Sequence, residues 1–291
     1  MPARQPFTQL CRALARHRPS ARVDLHMHTT HSDGLYSPEQ IVDIARRSGM
    51  PAIAITDHDT FAALEPARRH GGEKLQIISG VEISTRHEDR ELHLLAYFFD
   101  PLHAGLGAAL EEVRRERKIR FLAMVDRLRD LGVVLDDADV RATATIGAVG
   151  RRHLAFLLVK AKKARTMRDA FVRYLGDLGP ATVAKKCLPV AEAIALVREA
   201  GGVSAWAHPG EVCTWEAVSA LYNFGMRAIE VDWPTAKPSR SRLYRQWAKA
   251  LGMATTAGSD CHGPDEPKRT LGARGVNLDE LDALKSRAGA I

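Results

Sequence analysis

Seven short apolar runs, at residues 22–28, 51–57, 75–83, 91–99, 202–207, 227–232 and 253–259, have the length and composition of buried strands. Helical periodicity follows several of them. Ser37 to Ser48 places Pro38 in its first turn, Val190 to Ala200 stops at Gly201-Gly202, and Ser239 to Leu251 stops at Gly252. Strands alternating with helices predict an α/β fold with a parallel sheet of buried strands. Residues 101 to 187 break the rhythm. There Leu110, Val113, Arg117 and the stretch from Phe121 to Leu128 fall at helical spacing, which predicts an α-helical insertion between the fourth and fifth strands. No internal repeat or low-complexity tract is present.

Polar residues at the ends of these runs carry the chemistry. His26 and His28 close the first run, and Asp33 follows in the next loop. Later runs end in Thr56-Asp57-His58-Asp59, Gly80-Val81-Glu82, Ala207-His208-Pro209 and Ser259-Asp260-Cys261-His262. Side chains two apart on a strand share a face, so His26 and His28 can hold one ion together. In a closed parallel barrel the strand C-termini converge on one rim, where residues distant in sequence share a pocket. His93, near the start of its own run, is the exception. Burying so many ionisable groups without compensation is expensive, and metal coordination removes the difficulty. The pattern predicts a multinuclear metal site.

Composition and charge sharpen this only in places. The 291 residues, 45% of them hydrophobic, allow one large domain or a domain with an insertion, and no apolar stretch is long enough to span a membrane. Cys11, Cys187, Cys213 and Cys261 are scattered with no Cys-x-x-Cys, which argues for a reducing compartment and against a disulfide scaffold or zinc ribbon. The first 22 residues lack the apolar core of a secretory signal, and Phe7, Leu10, Cys11 and Leu14 suggest a short amphipathic helix. A cytoplasmic location is expected. The net charge of +7 is concentrated: residues 101 to 187 hold 18 basic against 10 acidic side chains, and the remainder balances at 24 against 25. A basic wall beside a site focuses anions toward it, although runs such as Glu111 to Arg120 are equally ordinary on a solvated helix.

The segments DLHMHTTHSDG, ITDHDT, GVEIS, HLLAYFF, AHPG and GSDCH resemble, in order, the motifs of the PHP (polymerase and histidinol phosphatase) family. The resemblance covers nearly the whole chain from about residue 22. It implies a distorted (β/α)7 TIM-like barrel at 22–100 and 188–291, a helical substrate cap at 101–187, and a basic extension at 1–21. It also implies a centre of two to three divalent ions, with manganese foremost and iron or zinc as alternatives, that hydrolyses phosphate esters. The implied metal ligands are His26, His28, Asp33, His58, Glu82, His93, His208, Asp260 and His262. Asp33, His58, Glu82, His208 and Asp260 are the implied catalytic core. Six imidazoles and three carboxylates without a thiolate suit these ions. A water activated between metals is then the implied nucleophile, with no protein nucleophile needed.

Neighbouring residues carry less weight. Asp24 and Asp57 precede ligands and are expected to orient histidines rather than bind metal. His31 lies in a loop beside the site, Asp232 ends the sixth run as a pocket or turn residue, and alternation points Cys261 away from its flanking ligands. His17, His70, His87 and His103 carry no signal. Within the insertion, GRRHLAFLLV resembles the R-x-H-(L/F)-A element of the branch that removes the 3′-phosphate of 3′,5′-bisphosphonucleosides and trims short RNA from the 5′ end. Arg151 and His153 are its implied substrate contacts, although Arg151 and Arg152 could equally cap a helix. The chain departs from that branch at Thr182, which replaces a tyrosine, and at Glu211, which replaces an arginine. The expected substrate is therefore a small nucleotide or short oligonucleotide. A histidinol-phosphate-like metabolite and a non-catalytic metal-binding module are the alternatives. Long duplex nucleic acid is not an expected partner, since no helix-turn-helix or finger pattern is present.

Overall fold

The computed structural model describes residues 22–210 and 213–289. The proposed amphipathic helix at Phe7 to Leu14 and the departure at Glu211 lie outside them. The fold is mixed α/β. Its strands are β1 (Ala52–Ala54), β2 (Gln76–Ile78), β3 (Gly80–His87), β4 (Arg90–Tyr97), β5 (Leu188–Pro189), β6 (Val203–Trp206), β7 (Ala228–Asp232) and β8 (Ala254–Ala257). Six of them form one sheet in the order β5-β3-β4-β6-β7-β8, while β1 and β2 form a parallel pair.

The first apolar run makes single bridges rather than a long ladder: Asp24 to Ile53, Met27 to Cys261 and Val23 to Val276. Ala54 N and Thr56 N donate to the carbonyls of Asp24 and Met27 on one side. Leu25 N and His28 N donate to those of Ala257 and Cys261 on the other. This segment is therefore held between β1 and β8. Tyr97 adds a hydroxyl hydrogen bond to Leu25 O at 2.9 Å. The 75–83 run is cut in two at Ser79, because β2 pairs with β1 whereas β3 pairs with β4 and β5. Gly80 permits the change of partner: a Cβ there would lie 2.6 Å from Ile55 O.

The expectation of an all-parallel sheet fails at β4, which is antiparallel to both β3 and β6. The cause is local. Only Glu88 and Asp89 connect β3 to β4, and Glu88 takes a φ of +52°. Two residues can make a hairpin but not a crossover.

The helices are α1 (Pro38–Arg47), α2 (Leu64–Gly71), α3 (Ala104–Asp130), α4 (Asp137–Thr143), α5 (Arg151–Lys160), α6 (Met167–Ala170), α7 (Val190–Glu199), α8 (Trp215–Phe224), α9 (Pro238–Leu251) and α10 (Leu278–Lys285). Ser37 caps α1 through a reciprocal pair of bonds with Gln40, and Pro38 sits where its missing N–H has no partner to lose. The 101–187 stretch is helical as expected. Along the 27 residues of α3 the packing changes partner. Leu106 and Leu110 join the core of β3, β4 and α7, while Phe121, Met124 and Leu128 pack with Leu154, Leu158 and Leu175 in a second cluster. Among the described residues no helix is long and apolar enough to cross a membrane.

Candidate metal centre

Glu82 is the hub of the site. It is 1% exposed and emerges from β3. One oxygen lies 2.8 Å from His93 Nδ1 and 2.9 Å from His208 Nε2. The other lies 3.1 Å from His58 Nδ1, 3.3 Å from His28 Nε2 and 3.5 Å from His26 Nε2. Asp260 Oδ1 stands 3.3 Å from His28 Nε2 and 3.6 Å from His26 Nε2. Asp33 Oδ1 stands 3.4 Å from His262 Nε2, 3.8 Å from His28 Nδ1 and 3.9 Å from His58 Nε2. All nine side chains singled out in the sequence thus meet in one place. His93 reaches it because β4 runs backwards, which brings the start of that strand to the rim where the parallel strands end.

Backbone geometry aims these groups. His208, Asp260 and Asp59 adopt φ values of +30°, +47° and +50°, a left-handed region that non-glycine residues occupy only when their surroundings impose it. Asp24 accepts hydrogen bonds from the N–H groups of His26, Ser259 and Gly272. Asp57 accepts from Thr29 N at 2.7 Å and Thr29 Oγ1 at 2.6 Å. Both carboxylates therefore fix backbone and loop; neither orients an imidazole, contrary to expectation. That task falls to Glu230, which sequence reasoning missed. It is fully buried, lies 3.0 Å from His26 Nδ1, and accepts His208 N at 2.5 Å. A register shift between Glu230 and Asp232 breaks the alternation of β7. Asp232 consequently pairs with Arg274 at 3.3 Å. Cys261 is buried with Met27 and Tyr36, away from its neighbours' ligand atoms, and burial pushes its thiol up to about 12.

The electrostatics are those of a compact cage. Burial opposes ionisation of Glu82 and Asp33, yet the surrounding histidines hold both well below the usual carboxylate range. Burial likewise opposes protonation of His93, but Glu82 and Glu91 raise it to about 9. His58, where burial dominates, is held well below its ordinary value. His26 Nε2, both ring nitrogens of His28, His58 Nδ1 and Asp33 Oδ1 are buried without a hydrogen-bond partner. Such atoms are costly unless something else engages them. Three overlapping groups have donor atoms close enough for one ion each: His28, Asp33, His58 and His262; His26, His28 and Glu82; and His58, Glu82 and His93. This donor set fits divalent cations.

Cationic groups border the cage. Arg269 pairs with Asp260 Oδ2 and donates to Asp260 O at 3.2 Å. Arg152 Nε lies 3.4 Å from Asp33 Oδ2, and its Nη2 donates to Glu266 at 2.9 Å. Neither guanidinium is signalled by sequence spacing. His153 Nε2 stands 2.8 Å from Ser32 O, beside the cage. Arg151 instead donates to Asp177 at 2.7 Å and to Leu175 O at 3.2 Å. Two cavities flank the centre. One of about 350 Å³ lies against His208, Asp260, Trp233, Arg240 and Arg269. The other, about 690 Å³, lies against Asp33, His262, Arg152 and His153. Thr182 turns its hydroxyl to Gly176 O at 2.6 Å.

Known proteins match this chain along most of its length. The PHP domain model matches residues 24–131. A 5′-3′ exoribonuclease from Haemophilus influenzae is 33% identical over 270 residues, covering 90% of this chain and 96% of that one. A 3′,5′-nucleoside bisphosphate phosphatase from Chromobacterium violaceum is 27% identical over 259 residues, covering 87% and 91%. A solved structure from Bifidobacterium adolescentis, assigned as a metal-dependent phosphoesterase, superposes with a TM-score of 0.86 at 30% identity, over 94% of this chain and 99% of that one. Fold and relatives together define a phosphoric ester hydrolase of the metal-dependent kind. The chain belongs to the PHP family.

Proposed function

We propose that this protein hydrolyses a phosphoester of a small nucleotide or short oligonucleotide, such as a 3′,5′-bisphosphonucleoside. The observation that carries the proposal is the set of buried, unpartnered ring nitrogens and carboxylate oxygens around Glu82 and Asp260. The activities named for the Haemophilus and Chromobacterium relatives support the substrate class.

His26, His28, Asp33, His58, Glu82, His93, His208, Asp260 and His262 hold two to three divalent ions, manganese foremost. Three donor groups that share His28, His58 and Glu82 favour a trinuclear arrangement. When bound, the ions supply Lewis-acid charge on the phosphoryl oxygens and an activated water. Glu82, at the centre, bridges; Asp33, His58, His208 and Asp260 close the cage around the reacting phosphate. Glu230 keeps the His26 ring in place, and Arg152 and Arg269 offer guanidinium groups for phosphate at opposite sides of the cage. His153 contacts substrate from the insertion, with Arg151 steadying the 175–177 loop beside it.

The backbone bonds joining residues 24–28 to both β1 and β8 support a distorted (β/α)7 barrel, with 101–187 as a cap and 22–100 and 188–291 as its body. Free thiols at Cys187, Cys213 and Cys261 agree with a cytoplasmic setting.

The test is phosphate release by the manganese-loaded chain from adenosine 3′,5′-bisphosphate, AMP, a nitrophenyl ester and histidinol phosphate. Preference for the bisphosphate is expected. Activity confined to the other esters keeps the metal chemistry and discards the nucleotide. His208→Ala and Asp260→Ala should each lose turnover and bound metal, and full activity in either would sink the mechanism.

A further inference from the structure

The larger cavity has a character that neither metal nor phosphate explains. One wall is the 30–35 loop, and the other comes from α4, α5 and the start of α6. Leu35, 51% exposed, and Phe156, 56% exposed, come from these separate segments and border the same space, as do Ile146 and Met167. Scattered exposed apolar side chains are ordinary, whereas several converging on one cavity mark a binding surface. Leu35 is held in place: its N–H donates to His262 O at 2.8 Å, and a Cβ on Gly263 would come within 2.8 Å of it. The inner end of the cleft is formed by Asp33 and His262 of the cage, with Arg152 between cage and cleft. Lys160 and Arg168 also line it. A fitting occupant is apolar and flat along its body, joined at the inner end to an anionic group, and compatible with nearby positive charge.

We propose that this cleft is a nucleobase subsite, in which the base of the nucleoside joined to the reacting phosphate stacks against Phe156 and Leu35 without its edge being read. The inference rests on the nucleotide reading above. The volume, about 690 Å³, suits a nucleoside. The lining described includes no Asn or Gln, the side chains best matched to base edges. Stacking is tolerant of base identity because every base has a π-face. Thr182, with its hydroxyl on Gly176 O, provides no ring, and Phe156 supplies that aromatic surface from α5 instead.

The manganese-loaded full chain tests this with the four nucleoside 3′,5′-bisphosphates and the corresponding ribose bisphosphate lacking a base. In the wild type, KM should agree within a few-fold across the bases and rise about tenfold or more for the abasic compound. Phe156→Ala should close that gap, and Phe156→Tyr should restore it. Calorimetric binding of AMP to the metal-free chain should weaken about tenfold in Phe156→Ala, a readout independent of turnover. Equal KM for base-bearing and abasic substrates, or no effect of Phe156→Ala on either measurement, overturns the subsite while leaving the phosphoesterase intact. Strong preference for one base overturns recognition by stacking alone. A changed sedimentation coefficient in Phe156→Ala would show that a second copy of the chain covers the cleft, which also overturns it. If the wild type cleaves other esters but no nucleotide, the underlying reading fails and takes the subsite with it.

Discussion

Glu230 Oε1 lies 3.0 Å from His26 Nδ1, and neither residue has any solvent exposure. The carboxylate turns the ring so that Nε2 faces the cage, and its second oxygen accepts the backbone N–H of His208. One side chain thereby aims ligands from two distant segments. Removing such a partner lowers metal affinity by about 10–100-fold. Glu230→Gln, which keeps the volume and an acceptor, is expected to weaken manganese binding by about tenfold or more in competition with a chelating dye. An affinity equal to wild type would mean that packing alone orients His26.

The insertion is tied to the metal centre by a buried ion pair. Arg117 of α3 donates from Nε to Asp59 Oδ2 at 2.5 Å and from Nη2 to Ser84 Oγ at 2.8 Å, while Asp59 also accepts Ser84 N at 2.6 Å. Removing one partner of such a pair leaves an uncompensated buried charge and costs about 3–5 kcal/mol. Arg117→Ala should therefore lower urea-unfolding stability by that amount. The double variant Arg117→Met, Asp59→Asn should recover most of it, since both charges are then gone. If the single variant matches wild type, the pair does not anchor the insertion.

Proton linkage gives the metal-free and metal-bound chains opposite pH slopes. His93, raised from 6.5 to about 9, contributes stability that is complete below 6.5 and lost as pH rises through about 9. His26 and His262 are raised and act in the same sense. Glu82, Asp33 and Asp260 are depressed, so their contribution is present above 3.8 to 4.5 and lost on further acidification. Metal-free stability should accordingly peak between about 4.5 and 6.5. Divalent ions compete with those imidazole protons, so metal affinity and the melting temperature in excess manganese should rise from 6.5 toward 9. Proton release on binding, read by calorimetry in two buffers of different ionisation enthalpy, checks the sign. Uptake of protons, or parallel slopes in the two forms, contradicts this account.

How much of this was legible beforehand depended on how local the cause was. The nine cage residues stand at the ends of apolar runs, and α1, α7 and α9 carry their own caps and stops, so short-range pattern sufficed. The inversion of β4 was written in Glu88-Asp89, a connection too short for a crossover, and it accounts for the odd position of His93 in its run. Glu230 escaped notice because a register shift two residues later removes the alternation by which Asp232 looked the better candidate. Arg152 and Arg269 reach the cage only through tertiary packing, and no spacing in the sequence encodes that. Asp24 and Asp57 were rightly set apart from the ligands, but their partners are backbone N–H groups, which sequence does not distinguish from imidazoles.

Two glycine substitutions separate the aiming of the site from plain backbone strain. At Gly258, directly after β8, a Cβ would lie 2.3 Å from His26 Cβ and 2.5 Å from His26 N. Those are fixed atoms of a fully buried residue, so the first ligand segment itself must move. Gly252 ends α9 with a φ of +65° and has nothing within 4 Å of the added carbon, so Gly252→Ala suffers the left-handed penalty alone, about 1–2 kcal/mol. Overpacking at Gly258 is expected to cost at least about 1–3 kcal/mol and to displace His26 and His28 together. Both variants should melt earlier than wild type. Only Gly258→Ala should also bind fewer metal ions per chain, counted by elemental analysis after dialysis. Full metal content in Gly258→Ala would show that the segment between β1 and β8 can retreat without opening the cage.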